Sequence, residues 1–321
     1  MKQPATMLAV MVMACSQTQP AGQTTTTPST ASSATCRLPI SITESPGHIQ
    51  GAFVEYPGGK LTIDPAGDGG AYYARDISRW LPVGRSSVSP DKARYAYVKP
   101  RLVTAPDQLR LHVVDVATGS DQTYKIGLPV SPAGLVIVSF ASEGVWLSHA
   151  GYEGPGGKLF LLDLSSGVLK DVGGSRDIFE PVADTPGAFW FTDAGPKPQY
   201  SDMGFPLPAR LSRMTISNGK VEAWYGEPGY LRALGTDVAG HPIFARWNAK
   251  SEANEVWVAS SPGQAKSIGL PQGLPPGGYQ PFADPGRGVW IGGEQGMYLY
   301  TDTGQLQKVS TQAAAPAGIC A

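Results

Sequence analysis

The sequence predicts an all-β fold: a β-propeller of four-stranded antiparallel blades, six in number. Three observations carry this. Apolar-Gly dipeptides recur along the chain at just over forty residues, a period that marks repeat architectures. The 321 residues include 40 Gly and 29 Pro, and only 16% are charged, which suits short strands joined by tight turns. No stretch above about ten residues keeps a helical period without an interrupting Gly or Pro.

The repeat is read first from its ends. Val83-Gly84, Ile126-Gly127, Val172-Gly173, Tyr225-Gly226 and Ile268-Gly269, with Val309-Ser310 closing the series, are spaced 43, 46, 53, 43 and 41 residues apart. Upstream of all but the first lies a strand running into a turn: LRLHVVDVATG (109–119), KLFLLDLSSG (158–167), RLSRMTISNG (210–219), EVWVASSPG (255–263) and MYLYTDTG (297–304). The terminal Gly supplies the positive φ a tight hairpin requires. Asp115 and Asp163 stand where a side chain can bond back onto the turn. Earlier in each unit is a second apolar strand, usually aromatic: ARYAYV (93–98), GVWLS (144–148), AFWFT (188–192), PIFARW (242–247) and GVWIG (288–292). Asp-x-x-Gly turns precede two of these, at Asp184–Gly187 and Asp237–Gly240.

Each unit therefore holds about four strands, a to d, of which b and c are the clearest. A four-stranded sheet of this size cannot bury both faces by itself, and radial stacking of such sheets does so. Residues 36–320 divide into about 47 per blade for six blades; seven, at about 41 each, is the alternative count. The segment VSPDKARYAYV (88–98) resembles the repeat motif of TolB-type propellers, and VADTPGAFWFTD (182–193) resembles a blade of the streptogramin-lyase-like propellers. The resemblance is at blade level and spans most of residues 45–310. It implies a fold rather than an activity, since propellers host unrelated functions.

The termini place the domain. Lys2, an apolar run from Met7 to Ala14, and then Cys15 make a secretory signal pattern. Val12-Met13-Ala14-Cys15 resembles the bacterial lipobox, with Val12 and Met13 where that motif favours Leu and a small residue. The expectation is a signal peptide over 1–14, a lipidated Cys15 opening a Thr/Ser-rich tether over 15–35, and the propeller over 36–321. Ordinary secretion is the second choice. The apolar run is too short to span a bilayer, so the membrane is reached through the lipid anchor only. The tether has no charge and no large apolar side chain, so it cannot offset its ordering entropy. Cys36 and Cys320 stand at the two ends of the folded region, and an exported protein is expected to join them in a disulfide.

A net charge of −1, without a long run of either sign, marks no nucleic-acid surface. None of the four histidines forms a close metal pair: His112 reads as a sheet residue, His149 opens a loop, His241 sits in an Asp-x-x-Gly turn, and His48 is unassigned. Gly154-Pro-Gly-Gly-Lys158 lacks phosphate-loop spacing, and Asp64-Pro-Ala-Gly-Asp68 departs from calcium-loop spacing. No catalytic residue, cofactor or metal site is read from the sequence.

Length variation among the repeats falls between strands b and c, at 99–108, 149–157, 193–209 and 248–254. Such insertions mark the binding face of a repeat array. They supply Arg101, Tyr152, Glu153, Tyr200, Met203, Phe205, Trp247 and Lys250 as a candidate binding face, rich in the aromatic and Arg side chains that anchor recognition. Three functions follow: a binding module for a protein, peptide or glycan; a lyase- or lactonase-type enzyme; and a structural subunit of an envelope assembly. Carboxylates and His converging at the channel mouth would mark the enzyme, and a large exposed apolar patch the structural subunit.

Overall fold

The computed structural model describes residues 35–321 apart from 46–47, 100–108, 128–134, 151–156, 175–177, 186, 201–206, 228, 249–252 and 272–278. The expected signal peptide, Cys15 and nearly all of the expected tether lie outside the described residues.

Six antiparallel sheets follow one another along the chain. Blade 1 is built on β1 (Cys36–Ser45), β2 (His48–Tyr56) and β3 (Leu61–Asp68). A short hairpin follows, β4 (Tyr72–Ala74) with β5 (Arg79–Leu81). Blade 2 contains β6 (Arg94–Val98), β7 (Arg110–Asp115) and β8 (Asp121–Lys125). Its innermost strand is reduced to one bridge, Val88 to Tyr95. Blade 3 is β9 (Leu135–Ala141), β10 (Gly144–Ala150), β11 (Gly157–Leu162) and β12 (Leu169–Asp171). Blade 4 is β13 (Phe179–Thr185), β14 (Ala188–Asp193), β15 (Arg210–Thr215) and β16 (Val221–Gly226). Blade 5 is β17 (Leu231–Thr236), β18 (Pro242–Asn248), β19 (Ala253–Ser261) and β20 (Gln264–Ser267). Blade 6 is β21 (Gln280–Asp284), β22 (Gly288–Gly293), β23 (Gly296–Thr301) and β24 (Leu306–Ser310).

The ring closes on its own termini. The last strand, β25 (Ala315–Pro316), adds to β1, so the C-terminus supplies the inner strand of the blade that the N-terminus begins. The chain then stays beside β1: Ala317 N–H donates to Pro39 O, and Arg37 and Ala321 exchange a pair of backbone bonds. The Cys36–Cys320 disulfide lies at this seam, with Cα atoms 5.7 Å apart. Such a bond fits an oxidising, extracytoplasmic compartment.

The core lies between blades. Trp146 of blade 3 meets Phe189 of blade 4 edge-on at 4.6 Å. Trp190 of blade 4 packs with Leu231 and Phe244 of blade 5, and Ile243 of blade 5 with Val289 and Tyr298 of blade 6. Leu111 of blade 2 joins Val145 of blade 3, and Trp290 of blade 6 joins Leu38 and Ile40 of blade 1. Strand b is covered on both faces, which is why it reads as an apolar and aromatic run instead of an alternating one.

The repeated Gly-Val-Trp has a steric cause. Gly144 and Gly288 open strand b of blades 3 and 6 at φ of +146° and +124°. A Cβ there would lie 2.1 Å from the carbonyl oxygen of Leu162 or Tyr300 on the neighbouring strand. The Trp two residues on is fully buried, and its indole N–H donates to Glu143 Oε1 in blade 3 and to Asp284 Oδ2 in blade 6.

The c–d turns form as expected. Gly119 and Gly167 take φ of +71° and +69°. Asp115 Oδ1 accepts from the backbone of Ala117 and Thr118, and Asp163 Oδ1 from the backbone of Ser165 and Ser166. These donors hold the Asp163 carboxyl down at about 2, led by the Ser165 hydroxyl.

Three expectations need correcting. The Val83-Gly84 mark is not the end of blade 1, whose outer strand stops at Asp68. The β4–β5 hairpin is an extra element that the period conceals, because its length makes up the missing repeat. His149 does not open a loop: it pairs with Lys158 within the ladder of β10 and β11. Blade 2 also falls short of four full strands.

Candidate functional site

Antiparallel order puts all b–c connections at one end of the ring, together with the entries into each inner strand. The four insertions seen in the sequence are b–c connections: β6 to β7, β10 to β11, β14 to β15 and β18 to β19. Arg101, Tyr152, Glu153, Met203, Phe205 and Lys250 lie outside the described residues. Tyr200 is described and is 62% exposed. Trp247 is partly buried in β18 opposite Asn254.

The longest insertion has a rigid base. Asp193, buried at the end of β14, accepts from Gly195 N–H and Arg210 Nε on Oδ1, and from the Ser212 hydroxyl on Oδ2. Ala209 N–H donates to Asp193 O, and Leu207 N–H to Gln199 O at 2.7 Å. The two arms of the loop are thereby paired up to the segment that carries Tyr200.

The second feature is the axis, where three cavities meet. One of about 810 Å³ lies at the b–c end, between the first residues of the inner strands of blades 5, 6 and 1. One of about 420 Å³ lies at the opposite end, against the a–b turns at Asp237–Gly240 and Pro285. A third, of about 170 Å³, sits between blades 2 and 3. Tyr72 and Arg85 line all three.

Local structure explains their convergence. The β4–β5 hairpin brings Tyr72 to the axis, and its ring stacks on Phe282 of β21 at 6.4 Å. Because blade 2 has only a bridge for an inner strand, a 3-10 turn at Arg85–Ser87 takes its place. That turn carries Arg85, whose guanidinium sits over the Phe282 ring at 4.7 Å. Burial raises the Tyr72 phenol; Arg85 opposes this and Asp76 adds to it.

The ionisable lining is Arg75, Arg85, Lys92 and Arg232, facing Asp76, Asp237 and Glu294. Asp237 is already engaged by His241 Nδ1 and by the backbone N–H of Ala239 and His241. The lining thus carries more cation than anion on a chain whose net charge is −1. No histidine is among the described lining residues. Asp64 and Asp68 lie in β3 and serve the fold: Asp64 Oδ2 accepts from Trp80 Nε1, and Asp68 pairs with His48.

Sequence reasoning named none of Tyr72, Arg85 and Phe282. One signal was present, since Arg85 directly follows the Val83-Gly84 mark, and residues after such marks enter inner strands. The hairpin that delivers Tyr72 left no trace in the period.

No family model matches the chain, and no curated protein matches it. Among solved structures, TolB from Acinetobacter baumannii is similar at 15% identity, over 88% of this chain and 67% of that one, with a TM-score of 0.47. An inactive variant of virginiamycin B lyase from Staphylococcus aureus, solved with quinupristin, is similar at 13% identity over 90% of each chain, with a TM-score of 0.46. A putative 6-phosphogluconolactonase from Bacteroides uniformis is similar at 12% identity, over 88% of this chain and 97% of that one, with a TM-score of 0.49. The propeller assignment rests on the six sheets of this chain itself.

Proposed function

We propose that this protein is a binding module of the bacterial cell envelope, exported and anchored through a lipidated Cys15, that takes its ligand at the b–c end of the ring. The observation that carries the reading is the cavity of about 810 Å³ at that end, on the face where the chain also places its loop insertions. Concave sites with a few convergent polar groups are where propellers and other rigid scaffolds hold ligands. The Asp193 network supports the same reading, because a loop with a fixed base loses less entropy on binding. A protein, peptide or glycan end entering the axis fits this arrangement.

Two variants test it on residues 35–321. Ser86→Trp places an indole in the axis from an exposed position that lines two of the cavities. Replacing 199–205 with a Gly-Ser linker removes the Tyr200 tip. On glycan and peptide arrays, the wild type is expected to retain a defined set of spots that one or both variants lose while keeping the wild-type melting temperature. An array pattern unchanged by both variants refutes the site. The anchor is tested separately by fatty-acid analogue labelling of the full chain, expected in the wild type and lost in Cys15→Ala.

A further inference from the structure

We infer that the axial channel is a site for an organic carboxylate, with Arg85 as the residue that grips it. This rests on the reading above that the axis is where ligand binds, and adds the chemistry of what binds there.

Among the described residues, Arg85 is held by aromatic rings and not by acceptors. Its guanidinium lies over Phe282, whose ring is itself stacked with Tyr72. A cation held over a ring face is fixed without spending its N–H donors, which stay available to a ligand. Among the described residues, no carboxylate lies within ion-pair distance of Arg85, and none of its N–H groups has a hydrogen-bond acceptor. An Arg serving the fold normally spends its donors on carbonyls or a carboxylate, as Arg75 does on Cys320 O and Arg210 on Asp193. Arg85 is instead exposed and lines all three described cavities.

The ligand chemistry follows. A planar fork with free in-plane donors matches a carboxylate bidentately. The charge around Arg85 agrees: Arg75, Arg85 and Lys92 line the a–b cavity against Asp76 and Asp237, and Asp237 already accepts from His241 Nδ1 and from the backbone N–H of Ala239 and His241. The aromatic wall of Tyr72 and Phe282 favours a flat or apolar group next to the carboxylate. A free organic acid and the C-terminus of a peptide share this chemistry.

The test is titration by NMR at low millimolar ligand, using residues 35–321. The probes are benzoate against benzamide, and the peptide Gly-Gly-Phe against its C-terminal amide. Each pair removes the charge while keeping the shape. At least one carboxylate is expected to bind about tenfold or more tighter than its amide, and which one binds identifies the source. Arg85→Gln is expected to abolish the difference, and Arg85→Lys to leave a weakened remnant, because the charge persists without the fork. Melting temperature checks that the variants fold; should Arg85→Gln fail to fold, Arg85→Lys carries the comparison. Carboxylate and amide binding alike, no binding by either carboxylate, or preference for inorganic phosphate over both would overturn the inference. If Ser86→Trp removes array binding while Arg85→Gln leaves it intact, the axial site stands and the carboxylate assignment fails. If neither variant changes anything, the carboxylate assignment falls, and the proposed function falls with it when the 199–205 replacement is silent too.

Discussion

Removing the Cys36–Cys320 bond isolates how a ring held by its own termini is stabilised. The double variant Cys36→Ala, Cys320→Ala is preferred to Ser, because both side chains are buried, at 8% and 4% exposure, and Ser would bury two hydroxyls. The native ring is expected to stay closed. β25 still pairs Pro316 with Ile40 and Ala315 with Ser41. The Arg37–Ala321 and Ala317–Pro39 backbone bonds remain, and so does the bond from the backbone N–H at position 320 to Asp284 Oδ2, which needs no sulfur. The loss therefore falls on the unfolded state, which regains the freedom of a chain cross-linked across 284 residues. Loop-closure entropy for that length is worth about 5.5 kcal/mol at 25 °C, and about 3–5 kcal/mol is expected in practice. With an unfolding entropy of about 0.6 kcal/mol/K for a domain of this size, the melting temperature should fall by about 5–8 °C. Guanidinium unfolding read by Trp fluorescence checks this, and the denaturant slope should rise, because the unlinked chain exposes more surface. A loss under about 1 kcal/mol, or an early separate transition of blade 1, would refute the reasoning, since the bond would then be idle or would act on the native seam.

Gly288→Ala should destabilise blade 6 by about 2 kcal/mol or more, since the added Cβ meets Tyr300 O at 2.1 Å and φ is +124°; a melting temperature within about 1 °C of wild type would count against it. The Asp163 carboxyl, lowered to about 2 from 3.8, contributes stability that is present above the upper value and lost as pH falls through the lower one. Its NMR titration midpoint should lie near 2 in the wild type and rise towards 3.8 in Ser165→Ala, which removes the largest of its donors. Burial raises Tyr225 and Tyr279 to about 12 from 10.0, so the stability they lend is complete below 10 and lost as pH rises towards 12. Ultraviolet titration of the folded protein should show at least two fewer phenols ionising near 10 in the wild type than after unfolding.

Features legible in the chain alone are local or strongly repeated. The c–d turns were legible because Asp115 and Asp163 act on residues two and three positions away, and because Gly119 and Gly167 need a backbone that other residues resist. Strands b and c were legible because burial on both faces writes them as apolar runs carrying Trp146, Trp190 and Trp290. The ends were legible because Cys36 and Cys320 bracket the repeats, and the disulfide joins them. Everything else waited on closure of the ring. Inner strands border the axis at the edge of each sheet, so the one in blade 2 shrank to the Val88 bridge without disturbing the period. The β4–β5 hairpin stayed hidden because it filled the length of a repeat. The channel wall draws Tyr72 from that hairpin, Arg85 from a turn, Arg232 from blade 5 and Phe282 from blade 6. Positions so far apart in the chain become neighbours only when the ring closes, and no spacing within one blade records that they will meet.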